Sequence, residues 1–442
     1  MGKEKIRIGC GAGFSGDRLE PSEILAEKGN LDYLVLECLA ERTISLAQKR
    51  KKENPLLGYD PLLERRIKRL LPILIKNKVR LITNMGAANP LEGGKKIIEI
   101  ADQLGLRIKV AIVHGDDVFN QLNREEKTLE SGVPLSSYSS IVSANAYLGI
   151  DAIIPALETD ADIILTGRVA DPSLFLAPIV NEFGWDLMNS TLLGQGTVLG
   201  HLMECAGQIT GGYFADPVVK PVPDMDILGH PILEVSKDGT GIIRKVDGTG
   251  GLINTQTAKE QLLYEVLDPF AYYTPDVIAD FSKVQIEEIG KNQIRISGGN
   301  GKPAPQTLKV SVGYDAGYLS EGEISYAGAN AKERAFLAGE IIEKRISKAF
   351  DEFRVDYIGV SSLHGLELSK DSTPYEVRLR VAGKTQDPAL STLVGEEVEA
   401  LYTNGPAGGG GARKYTHQLM GVVSILMDRD LISPKLTLLE SN

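Results

Sequence analysis

The sequence predicts an α/β fold: a parallel sheet covered by helices in the N-terminal half, followed by a second, α+β domain. Two observations carry this. Over the first 215 residues short β-branched runs alternate with longer helical patterns, and beyond a proline-rich stretch at 216–223 the rhythm changes to closely spaced turns. The composition agrees, because 43% hydrophobic and 24% charged residues are enough to bury ordinary cores and too apolar for a disordered chain.

The strand candidates are 6–10, 33–37, 79–83, 108–114 and 163–166. Each is a nearly unbroken apolar run, as expected of strands covered on both faces. Between them, 61–75 places Leu62, Leu63, Ile67, Leu70, Leu71 and Leu74 at helical spacing, and 94–104 does the same with Ile97, Ile98 and Ile100. Pro217, Pro221 and Pro223 then remove the donors that a central strand needs, which sets a boundary at 216–223 between a domain over 1–215 and another over 224–442. In the second half, turns at Lys237-Asp238-Gly239, Asp247-Gly248 and 298–301 separate short strand-like pieces. A helix is expected over 331–347, a strand over 399–403 and a final helix over 413–427.

Charge and cysteine usage narrow the function. With 48 Lys plus Arg against 59 Asp plus Glu, a net charge of −11 disfavours nucleic acid as a partner. The apolar run at 70–75 is far short of the roughly 20 residues that span a bilayer, so no membrane span is expected. The polar opening residues carry no apolar signal region, and Cys10, Cys38 and Cys205 form no disulfide framework; a cytoplasmic location is expected.

Four constellations carry chemistry. Gly11-Ala12-Gly13-Phe14-Ser15-Gly16 follows the first strand in G-x-G-x-x-G spacing, with Glu37 ending the second strand, the fingerprint of a Rossmann-like dinucleotide site. Pro21 leaves only a short helix after it, so a plain βα turn and a loop for another ligand stand beside NAD or FAD. Polar residues recur at the strand ends: Asp17 and Arg18, Glu37 and Glu41, Asn84 and Asn89, His114 and Asp116, Arg168 and Asp171. In open α/β sheets ligands bind beyond the carboxyl ends of the strands, so the set implies one shared pocket, although each Asp or Asn taken singly is an ordinary helix cap. His201 and Cys205, with Glu204 beside them, share a helical face; a plain polar helix contact stands beside an acid–base role for His201 or Glu204, and a metal fits less well because a second ligand pair is missing. Finally, the glycine run at 405–411 ahead of Arg413 and Lys414 would, at a helix N-terminus, make an anion cradle.

Taken together these segments resemble the acyclic terpene utilisation family, often called AtuA-like. The resemblance lies in 11–18, Leu39-Ala40-Glu41, Gly58-Tyr59, Asn84-Met85-Gly86 with Asn89-Pro90, Gly115-Asp116-Asp117, Ala146-Tyr147-Leu148-Gly149, 166–171, Phe183-Gly184-Trp185, 200–205, Gly211-Gly212 and the loop at 405–411. It implies a catabolic setting with CoA thioesters and brings no assigned catalytic residues. Joined to the residue chemistry, it gives a lyase or hydratase acting on an acyl-CoA or branched carboxylate. Asp17, Glu37, Asp116, His201 and Glu204 would supply acid–base chemistry. Arg18, Asn84, Asn89, Arg168 and Asp171, with Gly408, Gly409, Gly410 and Arg413, would bind the substrate. A non-catalytic acyl-CoA-binding subunit and an NAD-dependent oxidoreductase are the alternatives; the sequence specifies no cofactor beyond a CoA thioester as substrate, and no metal. Longer relatives carry a further small C-terminal domain. That implies a separate partner of about 100 residues, or a homo-oligomer, covering an apolar stripe from Leu419 to Met427.

Overall fold

A computed structural model describes residues 3–441; Met1, Gly2 and Asn442 lie outside the described residues. The chain runs through β1 (Lys5–Ala12), α1 (Glu20–Lys28), β2 (Tyr33–Leu36), α2 (Glu41–Glu53), α3 (Leu63–Asn77), β3 (Arg80–Thr83), α4 (Pro90–Leu104) and β4 (Lys109–His114). Then come β5 (Ile141–Ala146), α5 (Ile150–Leu157), β6 (Ile163–Thr166), α6 (Ser173–Phe183), α7 (Ser190–Glu204), β7 (Pro231–Ser236), β8 (Gly241–Lys245) and α8 (Thr255–Leu263). Short strands β9 (Tyr272–Tyr273), β10 (Ile278–Asp280), β11 (Gln285–Gly290), β12 (Gln293–Ser297) and β13 (Asn300–Lys302) follow. The remainder comprises β14 (Thr307–Ala327), α9 (Ala331–Ile346), β15 (Glu352–Ile358), β16 (Glu376–Thr385), α10 (Leu393–Asn404), β17 (Gly410–Asp428) and β18 (Lys435–Glu440).

All five expected N-terminal strands form, and β1, β2, β3, β6 and β4 pair in parallel in that spatial order. Alternation along them sorts the side chains by face. Leu34, Leu36, Leu81, Val110, Ile112, Ile163 and Leu165 enter one apolar core with the stripes of α1, α3 and α4. The other face meets α5, α6 and α7, as the Tyr33 hydroxyl donating to Glu182 of α6 at 2.6 Å shows. The order 1-2-3-6-4 departs from the 3-2-1-4-5-6 of dinucleotide-binding sheets, where the chain reverses beside β1. Here the far side of β1 is occupied by antiparallel β7, followed by β8, β12 and β11, and β18 closes the opposite edge against β4.

The expected boundary at 216–223 therefore needs correcting. The prolines interrupt the chain locally, but the next segment returns to the same sheet. The compact units divide instead at Gly313 and Val422: one unit runs up to Gly313 and resumes at Val422, and the other is Tyr314–Gly421. In the second unit β15, β16, β14 and β17 form a sheet whose apolar face, with Ile324, Leu379 and Val381, packs on Ala335, Ile342 and Val398 of α9 and α10.

Two assignments near the C-terminus are reversed. The expected strand at 399–403 belongs to α10, whose Val394, Val398 and Leu401 are buried at helical spacing. The expected helix at 413–427 is strand β17. Its apolar stretch holds β-branched Val422, Val423 and Ile425, and a short apolar run does not distinguish helix from strand by periodicity. The stripe proposed for a partner on that helix is thus not a helical face. Among the described residues no helix is long and apolar enough to cross a membrane.

Helix α7, which carries His201 and Glu204, packs on the backbone of β13. A Cβ on Gly194 would lie 2.0 Å from the Asn300 carbonyl oxygen. Gly194→Ala should lower stability by roughly 1–3 kcal/mol through overpacking. Gly365→Ala, where nothing stands within 4 Å, should be near neutral; urea denaturation of both variants checks the contrast.

Candidate functional site

The loops after β1, β2 and β6, the end of α7 and the segment up to His230 enclose a cavity of about 720 Å³. The loop after β1 is folded on itself: Asp17 accepts from the Gly13 amide at 2.8 Å, and the buried Arg66 donates to the carbonyls of Ser15 and Asp17. Gly13 is required by close packing, since a Cβ there would lie 2.6 Å from the Cys205 carbonyl carbon. The dinucleotide reading of this loop, one of the three, finds no support at the following helix. α1 begins only at Glu20, its first turn carries Glu20 and Glu23, and their charge opposes an anion at that terminus.

Glu37, just after β2, is held in place rather than free. Its Oε1 accepts from the Leu39 amide at 2.8 Å and from Asn84 Nδ2 at 2.9 Å, while Asn84 Oδ1 accepts from the Cys38 amide. Burial, reinforced by Asp171, pushes the Glu37 carboxyl well above the ordinary glutamate range.

Arg168, after β6, is 1% exposed. It donates to Asp171 at 2.9 Å and to the Leu39 carbonyl, and its guanidinium lies 3.9 Å from the centroid of the Tyr147 ring. The Tyr147 hydroxyl donates to Glu41, which also pairs with Lys309 at 3.1 Å. Burial pushes Glu41 up, but Arg168, Tyr147 and Lys309 outweigh it and hold the carboxyl at about 2. Asp171 goes the other way: burial raises it to about 7 against the pull of Arg168, with Glu204, Glu41 and Glu265 adding like charge.

At the end of α7, His201 Nε2 donates to the Gln261 carbonyl at 3.0 Å, and Nδ1 faces Glu204 Oε1 at 2.8 Å. With Nε2 committed as a donor, one shared proton lies between His201 Nδ1 and Glu204. Glu204 Oε2 is buried without a partner, and burial raises the carboxyl, opposed by His201 and reinforced by Glu265. Glu204 thus lines the cavity with one oxygen buried and uncommitted and the other tuned by a buried imidazole.

Of the residues singled out in the sequence, Gly13, Phe14, Ser15, Asp17, Arg18, Glu37, Glu41, Asp171, Glu204 and Cys205 line this cavity. Arg18 spends Nη1 on the carbonyls of Met225 and Asp226. The others lie elsewhere. Asn84 and His201 stand behind Glu37 and Glu204. Asp116 is buried, accepting from Asn145 at 2.7 Å and from the Arg168 amide at 3.1 Å. Asn89 precedes α4 and donates to the carbonyls of Pro55 and Leu57. Arg168, expected to grip substrate, is a buried clamp. Gly408, Gly409, Gly410 and Arg413 belong to the second unit, where the glycine run leads into β17, so the helix-terminus cradle expected there does not form. The sequence reading leaves out His230, Tyr264 and Glu265, which also line the cavity. Glu265 has φ +58°, a left-handed conformation costing a non-glycine residue about 1–2 kcal/mol, and nothing in its sequence context signals it. Among the described residues no group of three or more His, Cys, Asp and Glu is placed to hold a metal ion.

The model of the acyclic terpene utilisation family protein AtuA matches residues 6–438. No curated protein and no solved structure matches the chain.

Two outcomes follow from this geometry. Arg168→Ala would leave Asp171 and the Leu39 carbonyl without their buried cation, and should cost about 3–5 kcal/mol in chemical denaturation. Asp116 is raised by burial to about 6, and Asp276 likewise to about 6, from an ordinary value of about 4. A carboxyl raised on folding favours the native state most when protonated, so this contribution is complete below about pH 4 and is lost as pH rises through about 6. The melting temperature of Asp116→Asn, which keeps one acceptor oxygen for its donors, should therefore fall less over that window than that of the parent protein. Equal slopes would mean that Asp116 does not titrate there.

Proposed function

The chain belongs to the acyclic terpene utilisation family AtuA, and from that membership we propose that it is an acid–base enzyme of lyase or hydratase type, acting on an acyl-CoA or branched carboxylate bound in the 720 Å³ cavity. The observation that carries the reading is Glu204: one oxygen on the buried His201, the other buried without a partner in the cavity wall. Catalytic carboxyls are tuned by burial and by a neighbour of this kind.

In the elimination direction, the Glu204–His201 pair takes a proton from the carbon beside the carbonyl. The Glu37 carboxyl, whose protonated form burial favours, gives its proton to the departing hydroxyl. A carbon–carbon double bond forms and water leaves, so Glu204 gains the proton that Glu37 loses; hydration is the reverse. Asn84 and the Leu39 amide hold Glu37 in one orientation, and the Gln261 carbonyl fixes the ring of His201. The raised Asp171 carboxyl also suits an anionic substrate, because a protonated carboxyl does not repel a carboxylate.

The test is a panel of 3-hydroxyacyl-CoA and enoyl-CoA thioesters followed by mass spectrometry for loss or gain of water. Glu204→Gln and Glu37→Gln should each lower kcat by at least about a hundredfold. His201→Asn should retain part of the rate with a displaced pH profile. Binding of thioesters without turnover by the parent protein would favour the alternative, an acyl-CoA-binding subunit that is not catalytic.

A further inference from the structure

A second chamber of about 520 Å³ lies in the same unit, and it shares Glu41, Asp171, Glu204 and Glu265 with the first. The walls on either side of this carboxyl partition differ in chemistry. On the first side stand Ser15, Asp17, Arg18, Glu37 and His230. On the second stand Tyr147, Tyr272, Pro275, Pro305, Leu308 and Leu426. The charge at that end of the second chamber is already neutralised, because Lys309 pairs with Glu41 at 3.1 Å and lies over the Tyr147 ring. The ring of Tyr272 packs on His201 and on Phe281, with centroids 5.3 and 5.0 Å away, so the aromatic wall is backed by the partner of Glu204.

We propose that the second chamber is the subsite for the apolar part of the ligand whose reacting polar part occupies the first. The ligand is then an amphiphile: a polar head among the carboxyls, and an uncharged chain running past Glu204 between Tyr147 and Tyr272 toward Leu308 and Leu426. A chain on that path covers the partition from the second side and excludes water from the chamber beside the buried, unpartnered Glu204 oxygen. Such exclusion strengthens every electrostatic interaction at the reacting atoms. The inference rests on the proposed role of Glu204 only in placing the head; the subsite itself rests on the shared wall and the apolar lining.

The probes are neutral primary amides of increasing length, butanamide, hexanamide and octanamide, titrated calorimetrically into the whole protein. Burial of two methylenes should tighten Kd about tenfold at each step, with a heat-capacity change that grows more negative along the series. Leu426, 44% exposed at the chamber wall, is the site for a blocking variant. Leu426→Trp should leave butanamide binding unchanged and reduce the gain from hexanamide to octanamide to about threefold or less. Leu308→Phe, checked by circular dichroism for folding, makes the same test from the other wall. A flat series in the parent protein, including failure of every member to bind, would overturn the subsite. So would a slope untouched by either folded variant. Failure of the catalytic reading looks different: the length dependence would persist in both the parent protein and Glu204→Gln, with no water transfer on any thioester.

Discussion

Taking a guanidinium out of water costs several kcal/mol even after the surroundings relax, and a fold tolerates it only where other groups take up the charge and the donors. Arg168 is such a guanidinium, and each of its partners comes from a different strand end. Asp171 follows β6, the Leu39 carbonyl follows β2, and the Tyr147 face follows β5. Its own amide is held by Asp116, after β4. Side chain and amide of this one residue therefore fix four loops relative to one another, and the Tyr147 hydroxyl also fixes Glu41 at the start of α2. The cavity inherits its shape from that requirement.

The same charge explains why the acids around it behave differently. Several carboxyls surround one fully buried cation, so burial and mutual repulsion prevent all of them from ionising together. Glu41 wins, because it also has a hydroxyl donor and Lys309. Glu37, Asp171 and Glu204 are left with less compensation than burial demands, and their carboxyls rise. Raised carboxyls thus arise from the stoichiometry of charge in a buried space, and no unusual bond geometry has to be invoked for them.

Much of the parallel sheet is legible in the sequence, because five continuous apolar runs can hardly be solvated and the helices between them show clean stripes. The polar strand ends are legible for the same reason: once the strands are placed, Asp17, Glu37 and Asp171 must emerge at one edge. The direction in which a side chain points is not legible. Arg168 and Asp116 carry the residue types of a ligand grip and an acid, yet they face inward because Asp171, Leu39, Tyr147 and Asn145 meet them there, and of these partners only Asp171 is near in sequence. Glu265 and His230 are invisible in the sequence because the loops that bring them to the cavity contain no periodic signal. The misreading of 413–427 has a different origin: the residues are equally apolar in either conformation, and only pairing with neighbouring strands decides between them.

The position of the cavity follows from one topological fact that no local pattern announces. An antiparallel strand begins where its parallel neighbour ends, and Ile232 at the start of β7 pairs with Gly9 near the end of β1. The chain between Glu204 and His230 must therefore be delivered to the carboxyl edge of the sheet, where it roofs the ends of β1 and β2. In a dinucleotide fold that side of β1 would hold a parallel strand, and the crevice between diverging crossovers would stay open for a pyrophosphate. Here Gly13 instead lets the loop after β1 approach the backbone of Cys205. The backward-running strand thereby brings the wall that carries Glu204 beside the end of β1, and the glycine-rich loop packs closely against the end of α7.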